Sequence, residues 1–409
     1  MRMQLLCKAH RVCEIDQETG DIFIFNQALM PLNLSLSDFH GTIKQRISNI
    51  NSFDAWCAER VLSIDRRYAK RILNELGLTQ SQSTEDKARI SRLYRCLSLQ
   101  DSYWVKKEDE KVSWKDVNLF SNSFSNAFVS VSLLGRSLTL RNKDLYSRMP
   151  DITTNGRYAK AWNRVDDQII MYKADDIEGN ETIREVNASK ILDCFGVDHV
   201  SYELACFDGH RVSMCECMTN EDRSIVPYRH FIAACKRKGI DDVDDIINEV
   251  KKIDATGYYT MNIMTYLIGN SDNHDGNWGF FRDNDTGKLL RIHSLFDFNC
   301  AFENYDKKDG GWCIPELKKI VMDESNELFY EPDPLSKTLQ EASLEAVNYV
   351  DIEMKYPIRK DYFLNDVDYE VFRTRCDELG VEVKLERESD NREPDIDIAF
   401  NRYEEEEER

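Results

Sequence analysis

The stretch "LIGNSDNHDGNWGFF", Leu267–Phe281, constrains this chain more than any other. Upstream, "GYYTMNIMTYLIGN" places apolar side chains at helical spacing. Downstream, "NWGFFRDNDTGKLLRIHSLFDF" reads as two short strands joined by a turn at Asn284-Asp285-Thr286-Gly287. An apolar helix must therefore stop, present two aspartates, a histidine and three asparagines, and resume as a hairpin. Asn, Asp and Gly also build ordinary surface turns. The choice between a turn and a catalytic loop rests on what surrounds this segment.

The first 145 residues read as an N-terminal subdomain of strands followed by helices. "RVCEIDQETGDIFIF" alternates around Glu18–Asp21, a hairpin signal. From Ser52, "SFDAWCAERVLSIDRRYAKRILNELGL" predicts a helix ended by Gly77, and "TQSQSTEDKA" a polar linker. Tyr103 and Trp104 read as core or docking aromatics. Residues 146–220 change pattern. "DITTNGRYAKAWNRVDDQIIMYKA" predicts a Gly-containing turn, then two strands about a hairpin at Val165–Gln168. "NETIREVNASKILDCFGV" predicts a helix with Asn180 as its N-cap, and "HVSYELACF" and "RVSMCECM" are strands flanking Asp208-Gly209. Residues 221–395 turn helical, through "YRHFIAACKRKG", "DDVDDIINEVKKI" and the helix before the polar loop, with helices resuming near Ser336. The end, 396–409, is an acidic run that reads as a solvated tail.

A small sheet with one helix, then helices, then a helix–loop–hairpin–Asp unit is the chain order of a bilobal, α+β protein-kinase-like fold. Asp272 and Asn277 are five apart, as are the base and the metal-binding Asn of H-R-D-x-x-x-x-N, and Asp297 in "LFDFN" follows the hairpin where D-F-G would stand. Phosphoryl transfer asks a protein mainly for positioning and charge neutralisation. Asp272 can orient a hydroxyl or take its proton. Asn277 and Asp297 offer the hard oxygens that suit Mg²⁺.

"IGNSDNHDGNWGF…LFDFN" resembles the catalytic segment of HipA-like serine/threonine kinases, I-G-[NA]-x-D-x-H-x-x-N followed by an Asp. Phosphoinositide-kinase-like enzymes share the D-x-H-x-x-N order. The resemblance implies Asp272 as catalytic base, His274 as a brace of the loop, and Asn277 and Asp297 as Mg²⁺ ligands. It extends to "ITTNGRYAKAW", where Gly156 and Lys160 fall in a loop over the ATP phosphates. Lys173 falls where the ATP-contacting strand lysine belongs, and removing it is expected to leave thermal stability nearly unchanged. Glu185 is its expected helix partner, with Glu181 as competitor. "CECM" resembles the hinge, so the backbone of Glu216 and Met218 would meet the adenine edge. Thr153 and Thr154 stand where relatives autophosphorylate a serine, and are the candidates for that modification.

The resemblance implies an ATP- and Mg²⁺-dependent serine/threonine protein kinase with a protein substrate, toxin-like growth control, and an antitoxin or regulatory protein as partner. A net charge of −20 argues against direct nucleic-acid or membrane binding. Twelve cysteines without a CxxC pair fit free thiols in a cytoplasmic protein. Two alternatives stay open: a kinase for small molecules or phosphoinositides, and a nucleotide-binding pseudokinase that serves as an interaction module.

Overall fold

Each of two compact units in the computed structural model is assembled from three separate stretches of chain. The first comprises Met1–Tyr172, Glu216–Asp241 and Gly279–His293, and the second Lys173–Cys215, Asp242–Trp278 and Ser294–Arg409. The structure describes residues 1–37, 41–124, 128–137, 148–154, 156–176, 179–303, 305 and 338–386, and the backbone of 319–322 and 328–331. The expected acidic tail, 396–409, lies outside the described residues.

In the first unit, β1 (Arg2–Cys7) lies between β2 (His10–Asp16) and β4 (Tyr103–Lys107), with β3 (Ile22–Ile24) beyond β2. Leu5 opposes both Cys13 and Val105, so alternate residues of three strands line one buried face. That face packs with Phe53, Trp56 and Cys57 of α1 (Ile43–Ala58). The helix expected through Gly77 is broken. After α1 the chain leaves helical geometry until α2 (Ala69–Glu75), and Tyr68 has φ 63°. Past the end of α1 the chain finds a nonlocal partner: the Leu62 N–H donates to Ile152 O at 2.6 Å. The polar linker is also partly helix. Ser83 Oγ accepts from Asp86 N–H and starts α3 (Thr84–Leu93).

Two shorter helices, α4 (Trp114–Val117) and α5 (Phe128–Leu134), precede β5 (Lys160–Val165) and β6 (Gln168–Ala174). The division between units falls inside β6, after Tyr172. In the second unit follow α6 (Glu181–Phe195), β7 (Glu203–Phe207) and β8 (His210–Glu216). Asn180 occupies the N-cap of α6 without a capping side-chain bond. Asp175 Oδ1 takes the Thr182 N–H at 2.8 Å in its place. Asp208 and Gly209, with φ 50° and 74°, form the tight turn that pairs β7 with β8.

Back in the first unit, β9 (Arg223–Pro227) leads into α7 (Tyr228–Arg237). The second unit then supplies α8 (Val243–Leu267), in which the two expected helices are joined through a non-helical Asp254. Its carboxylate accepts from Gly257 N–H and restarts the helix. Next come β10 (Gly279–Asp283) and β11 (Leu289–Ile292), which with β9 form a three-stranded sheet centred on β10. A Cβ at Gly279 would lie 2.1 Å from Val226 O, so this close strand approach requires glycine. The second unit closes with an antiparallel pair, β12 (Lys319–Met322) and β13 (Leu328–Glu331), then α9 (Leu339–Ala346) and α10 (Asp366–Glu378). Ser343 Oγ donates to Asn262 O, and Arg375 donates to Tyr266 O, which binds α9 and α10 to the end of α8.

The architecture is thus mixed α+β, with sheet-rich and helical regions. Among the described residues no helix is long and apolar enough to cross a membrane, and the eleven described cysteines are free thiols.

Candidate functional site

The second unit brings three charged residues, distant in sequence, into one buried cluster. Lys173, on β6, donates from Nζ to Glu185 Oε1 at 2.5 Å and to Asp297 Oδ1 at 2.8 Å. Its side chain is 7% exposed, and those of Glu185 and Asp297 are 1% and 14% exposed. Burial pulls the ammonium pKa down, but Asp297 and Glu185 overrule it and hold the group well above the ordinary lysine range. Lys173 is therefore not the surface lysine on which the expectation of unchanged stability rested. Between the two candidate helix acids, Glu185 is the one paired with Lys173, whereas Glu181 accepts the Asp176 N–H. The second oxygen of Glu185 accepts from Ser213 Oγ at 2.7 Å.

Asp297 is held on both sides in a conformation a non-glycine residue seldom takes. Its φ is 63°, in the left-handed region. Its N–H donates to the Tyr202 hydroxyl at 3.2 Å, and its carbonyl accepts from Asn270 Nδ2 at 3.2 Å. The Tyr202 ring also lies 5.0 Å from Lys173 Nζ, within cation–π range. Tyr202, Ser213 and the role of Asn270 escaped the sequence reading. Tyr202 lies in a segment that reads as strand, and nothing local tells a partner 95 residues away from a packing contact.

The polar loop after α8 is built by its own short bonds. Asn277 Nδ2 donates to Asp272 O at 2.8 Å and to Asp272 Oδ2 at 3.4 Å. Backbone bonds run from His274 N to Asp272 O and from Asn277 N to His274 O. Gly276 N–H donates to His274 Nδ1 at 2.9 Å. Asp275 holds the His274 imidazole above its ordinary pKa against the opposing effect of burial, with Asp272 and Asp297 adding to the rise. The loop is tied to the segment after Asp297 by Ser271 N–H to Cys300 O and by Phe302 N–H to Ile268 O. Its side chains remain open: Asp272 is 41% and His274 49% exposed.

The remaining candidates lie in the first unit. Thr153 and Thr154 are buried, and both hydroxyls donate to Pro150 O. Thr154 Oγ1 also accepts from Trp162 Nε1 at 2.9 Å. Phosphate can reach either hydroxyl only after this segment leaves its observed arrangement. Gly156 has φ 108°, and a Cβ there would lie 2.4 Å from Lys160 Nζ, so a side chain would displace the lysine. Near the expected hinge, Cys217 N–H donates to Ile169 O, Glu216 accepts from Gln168 Nε2, and Met218 O accepts from Arg223.

Among the described residues no three His, Cys, Asp or Glu side chains gather as a metal cage. The two expected ligands, the Asp297 carboxylate and the Asn277 amide oxygen, would offer hard oxygen donors of the kind that suits Mg²⁺ rather than a softer ion. Mg²⁺ characteristically completes such a sparse set with water and phosphate oxygens.

No family model matches the chain, and no curated protein matches it. Among solved structures it is similar to the proinflammatory kinase CtkA of Helicobacter pylori, with 17% identity and a TM-score of 0.35, covering 54% of this chain and 87% of that one. It is also similar to the Shewanella oneidensis toxin–antitoxin system of HipA, HipB and operator DNA, with 10% identity and a TM-score of 0.48, covering 92% of this chain and 96% of that one. These are distant likenesses.

Proposed function

We propose that this chain is a HipA-like kinase that moves the γ-phosphate of ATP to a serine or threonine hydroxyl of a protein. The observation that carries the reading is Lys173 bridging Glu185 and Asp297, residues 12 and 124 positions away. A lysine held by a helix acid and aimed at a metal-binding Asp is the charge arrangement that phosphoryl transfer uses to hold nucleotide phosphates. In this reading Lys173 meets the phosphates, and Glu185 keeps it charged and fixed. Asn277 and Asp297 would hold Mg²⁺, which when bound neutralises charge on the phosphate oxygens. Asp272, solvent-accessible and tethered by Asn277, orients the acceptor hydroxyl and takes its proton as the new O–P bond forms and the bond from the γ-phosphorus to the bridging oxygen breaks, releasing ADP. His274 braces the loop through Gly276 and Asp275. By the resemblance, Gly156 and Lys160 serve the phosphates, and the backbone of Glu216 and Met218 serves the adenine. A protein substrate, an antitoxin-type partner and toxin-like growth control complete the proposal.

Incubation with γ-labelled ATP and Mg²⁺, with the chain alone and with a cell lysate, tests it. The expected result is label on serine or threonine that disappears in Asp297→Ala. Nucleotide binding by calorimetry without any transfer would favour the pseudokinase reading.

A further inference from the structure

The first unit contains a clamp on residues 151–154 and 156–160 that the proposed mechanism does not use. Arg66 lies in the turn between α1 and α2, and its side chain is fully buried. One guanidinium nitrogen donates to Asp151 O at 2.8 Å and to Thr154 O at 2.9 Å, and the other donates to Lys160 O. Asp151 Oδ1, 3.5 Å away, is its carboxylate partner. Backbone bonds from the same turn add two more attachments: Leu62 N–H to Ile152 O, and Arg67 N–H to Arg157 O at 2.8 Å. Residues Leu62–Arg67 thus engage the carbonyls of residues 151, 152, 154, 157 and 160. Apolar anchors support them, since Met149 and Ile152 are buried with Leu62, Ile72, Phe128 and Val131.

A buried guanidinium is costly unless its donors are paired. Here the two terminal nitrogens are spent on the backbone of a single segment, while the buried Nε has no hydrogen-bond partner among the described residues, and those terminal bonds fix the path of the segment more than any one side-chain contact would. A planar fork can reach several carbonyls at once, and an ammonium cannot reproduce that geometry.

We infer that Arg66 is a positioning residue for nucleotide use: it sets the path of residues 151–154 and 156–160, and through them the N-terminal region sets the affinity for ATP. This rests on the proposed function, which gives that segment the phosphates. Loss of the fork should raise the KM for ATP on the order of tenfold, the factor associated with a charge-assisted hydrogen bond. It should leave kcat within about threefold, because the chemical groups on the polar loop are untouched.

The test uses the full chain with Arg66→Met and Arg66→Lys, the second serving if the first does not fold. Two quantities are read: KM and kcat for ATP, and the rate of trypsin cleavage after Arg157, an exposed residue within the clamped segment. The inference expects faster cleavage at Arg157 than at other sites, together with the KM-selective defect, and no rescue of KM by lysine. Faster cleavage with unchanged KM overturns it while leaving the kinase reading intact. A proportional fall in kcat with unaltered KM also overturns it. A wild-type chain that neither binds nor consumes ATP overturns both, and that result is visible before any variant is made.

Discussion

The Lys173 cluster and the Asp272 loop carry similar residue types but treat charge in opposite ways. In the cluster the ammonium faces two carboxylates, a serine hydroxyl satisfies one of those, and the side chains are nearly shut from solvent. In the loop Asp272 and His274 are close to half exposed, and they bond to the loop's own backbone and neighbours. Charges balanced inside the protein belong to its stability as well as its chemistry. Charges left open are available to a substrate, and their removal costs the fold little.

Mutation should separate the two regions, and the largest effect is expected in the cluster. Lys173→Ala leaves two carboxylates buried without their shared cation, so unfolding should become easier by about 3–5 kcal/mol, the usual consequence of breaking a buried pair. Denaturant titration reads this directly. A change within about ±0.5 kcal/mol, the range of a surface residue, would erase the contrast.

The loop should behave otherwise. Asp272→Asn should lower phosphate transfer on the order of 10²-fold or more, while Mg-ATP affinity stays within a few-fold and stability is unchanged within about 0.5 kcal/mol. Calorimetry with a non-hydrolysable analogue, beside a transfer assay, measures both. Wild-type transfer rates in this variant would remove Asp272 from the chemistry.

Tyr202→Phe sharpens the comparison by removing one hydroxyl from the cluster's edge. The Asp297 N–H loses its acceptor, which should cost about 1–3 kcal/mol and weaken Mg-ATP binding several-fold. A fall in turnover without any loss of stability would show that the cluster's edge behaves like the open loop.

The smallest effect concerns pH. The His274 pKa is raised, chiefly by Asp275, so its stabilising contribution is fully present below its unfolded value of about 6.5. That contribution is lost as pH rises through the higher native value. The stability difference between wild type and His274→Gln should therefore shrink across that rise, as read by thermal unfolding at a series of pH values. A difference that grows with pH contradicts the assignment.

What could be read in the sequence was local. The hairpin turn at Asp208-Gly209 and the bond from Asn277 back to Asp272 are set by neighbours in the chain, and the turn is found where the spacing put it. The choice of Glu185 over Glu181 came from the resemblance, in which the helix acid sits about one turn inside the helix, and Lys173 does pair with Glu185. What was not legible depends on distant partners. Leu62, past the end of α1, meets Ile152 O through its N–H, and Asp297 holds its unusual φ between Tyr202 and Asn270. The burial of Lys173 is decided by an aspartate 124 residues later.

The three-segment assembly of the first unit also has a consequence on the ribosome. The carbonyls of Ala28 and Met30 receive hydrogen bonds from Arg282, which is synthesised 254 and 252 residues after them. At translation rates of about 5–20 residues per second, that interval lasts roughly 10–50 s. During it the carbonyls of Ala28 and Met30 are without this donor, and β9 lacks the central strand of its sheet until Asp283 is made. A nascent chain stalled before Arg282 should therefore be a better client for chaperones than the finished protein.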